Sequence, residues 1–349
     1  MWQRGNVLSA AQSKDTHAER ETVLEVNELQ TYFYTDEGVV KAVDGLSYRV
    51  RKGEFVGLVG ESGCGKSVSA MSVLRLIPHP PGLIVGGEIL FQGEDLLKVD
   101  EARMRDIRGN RIAMVFQEPT TSLNPVLTVG RQISESIELH RNADKATALA
   151  ESVKLLELVG IPDSDRRIKD YPFQFSGGMQ QRVMIAMALS CSPDLLIADE
   201  PTTSLDVTVQ AQLLEIVADL REQLDMAGVI ITHNLGLVAR YVDRVNVMYA
   251  GKLVESGTTE TIFAEPKHPY TIGLMASVPR LDSPRKVAPR AIEGLPPNLA
   301  HLPEGCSFSP RCSYVMDQCH NEAPQLENVG GGHLRRCFYD ESKLEKVTV

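Results

Sequence analysis

The sequence has no apolar stretch approaching the length that spans a lipid bilayer, so we expect no membrane-spanning segment. Its first twenty residues lack the apolar core of a signal peptide, and we expect residues 1–22 to form a disordered lead-in. Positive charge is not in excess, because 36 Lys and Arg stand against 46 Asp and Glu, a formal net charge of −10. This balance disfavours a nucleic-acid-binding surface.

The remaining composition is that of an ordinary globular chain, 349 residues with 43% hydrophobic and 23% charged residues. From about 23 to 116 the patterns are those of strands. From about 118 to 190 they are helical, with apolar residues at Ala146, Leu149, Ala150, Val153 and Leu156. From 194 to 255 short apolar strands alternate with helices. This order predicts an α/β fold with a parallel sheet and a helical insertion, followed from 266 by a proline-rich, loop-rich tail.

One glycine-rich segment has the strongest motif in the chain. It fits the phosphate-loop pattern without mismatch, and its residues are Gly60, Glu61, Ser62, Gly63, Cys64, Gly65, Lys66 and Ser67. A predicted strand precedes it and a helix continues from Val68, which argues against a chance glycine-rich turn. Backbone N–H groups of such a loop hold phosphates, and we expect the nucleotide-binding segment to run from Gly60 through Val68. We expect Lys66 to reach the β- and γ-phosphates of a nucleoside triphosphate and Ser67 to hold Mg²⁺.

A second predicted strand, over residues 195–198, ends in Asp199 and Glu200. Two acids at a strand end more often only cap the next segment. About 130 residues after a phosphate loop, however, they are typical of ATPases. In these enzymes the first acid helps to hold Mg²⁺ and the second polarises the attacking water. We therefore expect Asp199 to be a metal ligand and Glu200 a general base.

A further segment has the features of an anion-binding helix start, with an N-cap serine and two glycines that expose backbone N–H groups. Its residues are Ser176, Gly177, Gly178 and Met179. Taken alone it is a helix cap. With the phosphate loop, it resembles the signature motif of the ABC-transporter ATPase family, although Phe175 and Met179 replace the usual first and last residues. The resemblance implies ATP bound between two ATPase domains, touching the phosphate loop of one and the signature residues of the other.

Other positions follow in the order that the family shows. Gln117 resembles the Q-loop glutamine, and the resemblance implies that it joins Ser67 and Asp199 as a Mg²⁺ ligand. His233 follows a predicted strand and resembles the switch histidine, which implies that it senses the γ-phosphate and acts in catalysis beside Glu200.

Two more landmarks concern contacts with the nucleotide. Asp206, in Ser204-Leu205-Asp206, resembles the D-loop aspartate. Phe33 lies where the family stacks an aromatic ring on adenine, with Tyr32 and Tyr34 as alternatives and packing within the strand as another.

The resemblance covers about residues 23–257 and implies the ABC-ATPase version of the P-loop NTPase fold. We expect this domain over residues 23–265, with a RecA-like parallel core, an antiparallel β subdomain and a helical signature subdomain at about 118–190. One copy of the motifs implies a second ATPase chain as partner, and we expect a paralogue. Two transmembrane permease subunits and an extracytoplasmic solute-binding protein complete the implied complex, with this chain peripheral on the cytoplasmic face of the membrane.

The expected extension over residues 266–349 is rich in cysteine, with Cys306, Cys312, Cys319 and Cys337. Four thiolates suit either a tetrahedral zinc or an iron–sulfur cluster. The sequence around Cys306 and Cys312, and His268-Pro269-Tyr270-Thr271 before it, resemble the C-terminal motif of the oligopeptide/dipeptide-type ABC ATPases, D-type subunits. That resemblance implies a 4Fe–4S cluster; zinc and unliganded thiols remain alternatives.

The favoured hypothesis is the ATP-hydrolysing subunit of an ABC importer for di- and oligopeptides. Nickel, sugar or antimicrobial-peptide cargo is an alternative, because an ATPase subunit does not touch the cargo. A soluble ABC-type ATPase of DNA repair or translation is a further alternative. Such proteins usually have tandem ATPase domains, long coiled-coil insertions or basic patches, whereas this chain has one motif set, no heptad array and an acidic balance.

Overall fold

A computed structural model describes residues 20–201, 207–277 and 291–344, with the backbone alone for 207–209. Within these ranges twelve strands are present: β1 (Thr22–Thr35), β2 (Gly38–Arg51), β3 (Phe55–Val59), β4 (Gly82–Phe91), β5 (Glu94–Asp95), β6 (Ile112–Val115), β7 (Leu195–Asp199), β8 (Ala227–Thr232), β9 (Arg244–Tyr249), β10 (Lys252–Thr258), β11 (Glu327–Asn328) and β12 (Leu334–Arg335). Of the expected lead-in over residues 1–22, residues 1–19 lie outside the described residues, and β1 begins at Thr22.

The same ranges contain twelve α-helices: α1 (Lys66–Val73), α2 (Glu101–Ile107), α3 (Pro119–Ser122), α4 (Val129–Arg141), α5 (Lys145–Leu158), α6 (Ser164–Arg167), α7 (Gly177–Leu189), α8 (Val207–Leu224), α9 (Leu235–Tyr241), α10 (Thr259–Ala264), α11 (Pro269–Ala276) and α12 (Asp317–Asn321). Short 3-10 helices occur at Pro172–Gln174, Ser309–Arg311 and Glu341–Lys343. None of the described helices is both long enough and apolar enough to cross a bilayer.

The strands form two sheets. The smaller is antiparallel, in the order β2-β1-β4-β5, and the larger has the order β11-β12-β10-β9-β3-β8-β7-β6. From β9 to β6 the larger sheet is parallel, whereas β10, β12 and β11 pair antiparallel at its far edge. The predicted parallel sheet is present, and the antiparallel sheet corresponds to the expected β subdomain.

The central strand β3 shows why the parallel sheet is stable, because all five of its residues are buried. Successive side chains point to opposite faces of a strand. Phe55 and Val59 therefore enter one hydrophobic cluster, and Val56 and Leu58 enter the other. A sheet covered on both faces explains the continuous apolar runs of β3, β7 and β8.

Helices α3 to α7 fill the chain between β6 and β7. Side chains of Thr128, Asp144 and Ser176 cap the N-termini of α4, α5 and α7. The predicted helix after residue 145 is present as α5, but its buried residues are Ala148, Ser152 and Leu156 rather than most of the apolar series in the sequence.

The C-terminal extension is less separate from the ATPase core than its composition predicts. Strand β12 pairs with β10, so the extension continues the large sheet. Glu255 of β10 is fully buried, and its carboxylate accepts hydrogen bonds from the backbone N–H groups of Lys267 and His268. It also lies 2.7 Å from Nε2 of His333, next to β12. One buried carboxylate thus ties both ends of the extension to the core.

Candidate nucleotide site

The predicted phosphate loop connects β3 to α1, and close backbone approach requires two of its glycines. A Cβ atom on Gly60 would lie 2.3 Å from the carbonyl oxygen of Met248. One on Gly65 would lie 2.1 Å from the carbonyl oxygen of Ala42, and Gly65 has a left-handed φ of 105°. Only glycine fits both positions without moving the backbone. The loop is therefore packed closely against β9 and β2.

Lys66 begins α1 and is only 4% exposed. Its ammonium donates hydrogen bonds to the carbonyl oxygens of Gly60 at 2.9 Å and Glu61 at 3.0 Å. The charge therefore lies over the first turn of the loop, beside the N-terminus of a helix, where loops of this type bind phosphate. A phosphate oxygen is a stronger partner for an ammonium than a neutral carbonyl, so it would compete well for this group.

Ser67 and Asp199 are the first two predicted Mg²⁺ ligands, and the structure brings them together. The Ser67 hydroxyl donates to Asp199 Oδ1 at 3.0 Å. Burial raises the pKa of Asp199. The hydrogen bond from Ser67 lowers this pKa and the negative charge of Glu200 raises it, and the net shift is upward. Oxygen ligands of this kind suit Mg²⁺, and a divalent cation would offset the cost of the buried carboxylate. The donor set fits the expected metal.

Glu200 is held between two other predicted residues. Gln117, after β6, donates from Nε2 to Glu200 Oε2 at 2.9 Å, and Nδ1 of His233, after β8, lies 3.3 Å from Oε1. Glu200 is 8% exposed and has a left-handed φ of 44°, which an ordinary L-residue rarely adopts. This places a carboxylate at the carboxyl edge of the parallel sheet, where open α/β sheets bind ligands.

Gln117 differs from its expected role in one respect, since the side-chain hydrogen bond it makes is with Glu200. It remains a predicted Mg²⁺ ligand. Asn234, which follows His233, caps α9 by accepting from the N–H groups of Gly236 and Leu237.

The signature residues occupy a different part of the chain. Ser176 and Gly177 are exposed at the N-terminus of α7, and Gly178 and Met179 are partly exposed. The Ser176 hydroxyl accepts only a long hydrogen bond, 3.4 Å, from the N–H of Met179. Among the described residues no hydrogen bond joins this motif to the phosphate loop, so the two halves of the predicted ATP contact are not assembled within one chain.

For two residues that were predicted to contact the nucleotide, the described contacts do not test the prediction. Asp206 lies outside the described residues. Phe33 pairs with Gly82 of β4 and with Val40 of β2, and its ring lies over Gly82. The neighbouring Tyr32 donates from its hydroxyl to Asp44. The adenine-stacking role of Phe33 stays a prediction.

Two contacts to the phosphate loop were not predicted. The Arg311 guanidinium, from the C-terminal extension, donates to the Glu61 carboxylate at 2.6 and 2.9 Å. The Glu61 N–H donates to the hydroxyl of Tyr270 at 2.8 Å. These partners are separated from Glu61 by 250 and 209 residues, and no spacing or periodicity in the sequence relates them.

The four cysteines of the extension line one cavity, and Cys319 is the most buried of them. The Cys306 N–H donates to the carbonyl oxygen of Cys319 at 2.8 Å. Burial raises the pKa of Cys306, Cys312 and Cys337. The thiols have the chemistry of a metal-ligand set. However, in the described ranges no three His, Cys, Asp or Glu side chains converge closely enough to hold a metal ion. The predicted cluster therefore lacks support from this geometry.

Comparison with known proteins decides the family. A probable peptide ABC transporter ATP-binding protein of Sinorhizobium fredii, y4tR, is 49% identical over 316 residues, which cover 90% of this chain and 94% of that protein. The chain belongs to the ABC transporter family. The ABC transporter profile matches residues 43–203, and the profile of the oligopeptide/dipeptide transporter C-terminal region matches residues 254–319.

Another relative and a solved structure agree with this assignment. The oligopeptide transport ATP-binding protein OppD of Bacillus subtilis is 49% identical over 325 residues, 93% of this chain and 91% of that protein. The ATP-binding cassette MJ0796, solved as a dimer bound to ADP and Pi, superposes with a TM-score of 0.62 over 68% of this chain and 98% of that one, at 23% identity. The expected ABC-ATPase fold is confirmed.

Proposed function

We propose that this ABC protein binds MgATP at Gly60–Ser67 and hydrolyses it to drive a peptide importer. The observation that carries the proposal is the joined polar set at the carboxyl edge of the sheet. In it, Ser67 meets Asp199, and Glu200 meets both Gln117 and His233. Phosphoryl transfer to water requires Mg²⁺ ligands and a carboxylate base next to a phosphate loop, and this set supplies both.

Each side chain has a proposed step. Lys66 binds the β- and γ-phosphates and offsets their charge, and Ser67 and Asp199 hold Mg²⁺, which supplies further positive charge to the phosphates when bound. Glu200 accepts a proton from the attacking water. His233 and Gln117 orient the Glu200 carboxylate, and His233, 53% exposed along its side chain, is placed to contact a γ-phosphate.

Complete catalysis in this proposal needs a second ATPase subunit. Exposed signature residues, Ser176 to Met179, would close over the ATP of a partner chain, and Asp206 would lie at the same interface. We propose a paralogous partner, two membrane permease subunits and an extracytoplasmic solute-binding protein, with this chain peripheral at the cytoplasmic face. The peptide-transport names of the relatives and the matched C-terminal region support peptides as cargo over nickel or sugars.

For the extension we propose a 4Fe–4S cluster on Cys306, Cys312, Cys319 and Cys337, with zinc as the alternative. Support comes from four thiols lining one cavity in a segment with little core of its own. Anaerobic purification followed by absorption spectroscopy and iron, sulfide and zinc analysis tests it. About four irons and four sulfides per chain are expected. One zinc without sulfide would favour the alternative, and neither would leave the cysteines as free thiols.

Replacing Glu200 tests the proposed hydrolysis. In the assembled transporter, Glu200→Gln should lower ATP turnover at least about 100-fold, because it removes the base, while the affinity for MgATP stays within about twofold. Glu157→Gln, an exposed site on α5, is the matched control and should leave both unchanged. Unchanged turnover in Glu200→Gln would refute the assignment.

A further inference from the structure

In the described part of the chain, hydrogen bonds from the C-terminal extension reach the phosphate loop at Glu61. Two nitrogens of Arg311 donate to the two oxygens of the Glu61 carboxylate. The side chain of Arg311 is 4% exposed and that of Glu61 is 25% exposed, so the pair is largely shielded from water. A paired, two-point contact of this kind fixes the orientation of both groups, unlike an exposed ion pair.

The backbone of Glu61 is held as firmly as its side chain. Its N–H donates to the hydroxyl of Tyr270, which is fully buried, and its carbonyl accepts from the ammonium of Lys66. Tyr270 packs edge-on against Tyr249 and Phe308, with ring centroids 4.6 and 5.4 Å away. The Glu61 carbonyl also accepts from the N–H of Cys64 at 3.3 Å. Every polar group of Glu61 therefore has a defined partner, and two of the four partners, Arg311 and Tyr270, belong to the extension.

Arg311 is itself positioned by the extension. Its Nε donates to the carbonyl oxygen of Glu293 at 3.0 Å, and the residue ends a 3-10 helix, Ser309–Arg311, between Cys306 and Cys312. The hydrogen bonds to the Glu61 carboxylate raise the pKa of Arg311 above its already high value, as expected for a guanidinium beside a partly buried anion. The ion pair thus connects the cysteine-containing loop to the first variable residue of the phosphate loop.

We infer that Arg311 and Tyr270 are positioning residues for ATP, which hold the first turn of the phosphate loop in its phosphate-binding form. A loop that is ordered before the ligand arrives loses less conformational freedom on binding, so the affinity is higher. Without Arg311, Glu61 would be free to turn, and its uncompensated carboxylate would lie beside the incoming phosphates. This inference rests on the proposed function, because it assumes that nucleotide binds at Gly60–Ser67.

The test compares two arginines that each precede a tail cysteine. Arg311 contacts the phosphate loop. Arg336 instead donates to the carbonyl oxygens of Leu253 and Pro324, in β10 and in the extension itself. The purified chain carrying Arg311→Gln should bind MgADP about tenfold more weakly, corresponding to about 1.4 kcal/mol. The Arg336→Gln chain should bind MgADP within about twofold of the unaltered chain, even if its melting temperature falls as much as that of Arg311→Gln.

Two variants on the other side of the contact complete the test. Tyr270→Phe removes the hydroxyl that accepts from Glu61, and it should weaken binding in the same direction with the ring packing retained. Glu61→Gln should bind more weakly than the unaltered chain, and the double variant Glu61→Gln with Arg311→Gln should be no weaker than the worse single variant, since both break one interaction. In the assembled transporter, the KM for ATP should rise while kcat changes by less than about threefold.

Several results would overturn the inference. Unaltered MgADP affinity in a folded Arg311→Gln chain would do so. An equal loss of affinity in Arg336→Gln would do so too, because it would indicate a general effect of a weakened extension. Should Arg311→Gln fail to fold, Tyr270→Phe and Glu61→Gln decide, and unaltered affinity in both contradicts it. A Lys66→Ala chain that keeps its nucleotide affinity would refute the proposed function as well. Measuring Lys66→Ala therefore distinguishes a failure of this inference from a failure of the proposed nucleotide site.

Discussion

The ATPase core and the C-terminal extension meet in one sheet but are stabilised by different means. In the core, β3, β7 and β8 bury all of their residues, and apolar side chains on both faces carry the packing. In the extension β11 and β12 have two residues each, and buried polar contacts at Glu255 and Glu61 attach it. Many interchangeable contacts stabilise the core, whereas a few specific ones attach the extension. Single substitutions should therefore have larger effects on the extension.

Glu255 gives the largest expected effect and tests whether polar anchors dominate in the extension. Glu255→Gln replaces a buried carboxylate with an amide that cannot accept from all three of its partners. The free energy of unfolding should fall by about 4 kcal/mol, because one side of a buried pair is lost. Urea unfolding measures this.

The control for that substitution is Glu327→Gln, on the exposed strand β11, where the change should stay within about 0.5 kcal/mol. Equal effects at Glu255 and Glu327 would show that buried polar contacts do not attach the extension.

Gly65 offers a comparable test within the core, at a place where the phosphate loop packs directly against the backbone of β2. In Gly65→Ala the new Cβ would meet the carbonyl of Ala42 at 2.1 Å, in a left-handed conformation. The expected loss of stability is about 3 kcal/mol, from crowding and backbone strain together. Thermal unfolding with and without MgATP should show that nucleotide stabilisation is lost as well.

Gly63→Ala is the matched substitution in the same loop. Gly63 is also left-handed, with φ 80°, but its Cβ would meet no atom within 4 Å. Only the conformational cost of about 1–2 kcal/mol applies. If Gly63→Ala were as damaging as Gly65→Ala, close packing of the loop against β2 would not be the cause.

Features of the fold and site were predictable where the residues that determine them are close together in the sequence. Lys66, Asp199, Glu200 and His233 each follow or end a strand with its own apolar pattern, so local patterns were enough to single them out as candidate site residues. The buried face of α5 was not predictable from apolar residues, because Ser152 is buried while Leu149 is 42% exposed.

The extension was the least predictable region. Its proline content predicted a loop-rich segment, and the elements described there are short, yet nothing local indicated that β12 would join the sheet. Pairs such as Glu61 with Arg311 form only when distant segments fold together, and neither composition nor periodicity contains that information. The same holds for Glu255 with His333, which are 78 residues apart.

The smallest expected effect concerns Asp199, where function and stability oppose each other. Burial raises its pKa, so the ionised form at neutral pH costs free energy of folding. Asp199→Asn should therefore raise the melting temperature of the nucleotide-free chain by about 2–4 °C at pH 7, while Mg²⁺-dependent ATP binding weakens.

Asp194→Asn is the control for this gain, because Asp194 is a half-exposed residue that pairs with Arg111. It should lose stability slightly or not change. A drop in the melting temperature of Asp199→Asn would contradict the conclusion that the buried carboxylate is unfavourable in the core.

The most direct test of the account is the equilibrium affinity of the purified chain for MgATP after Lys66→Ala, with exposed Lys154→Ala on α5 as control. Loss of the buried ammonium should weaken binding on the order of 100-fold, because it removes a charge-assisted contact with the phosphates. Lys154→Ala should bind as the unaltered chain does. A Lys66→Ala chain that folds and binds MgATP with unaltered affinity would contradict the placement of ATP at this loop.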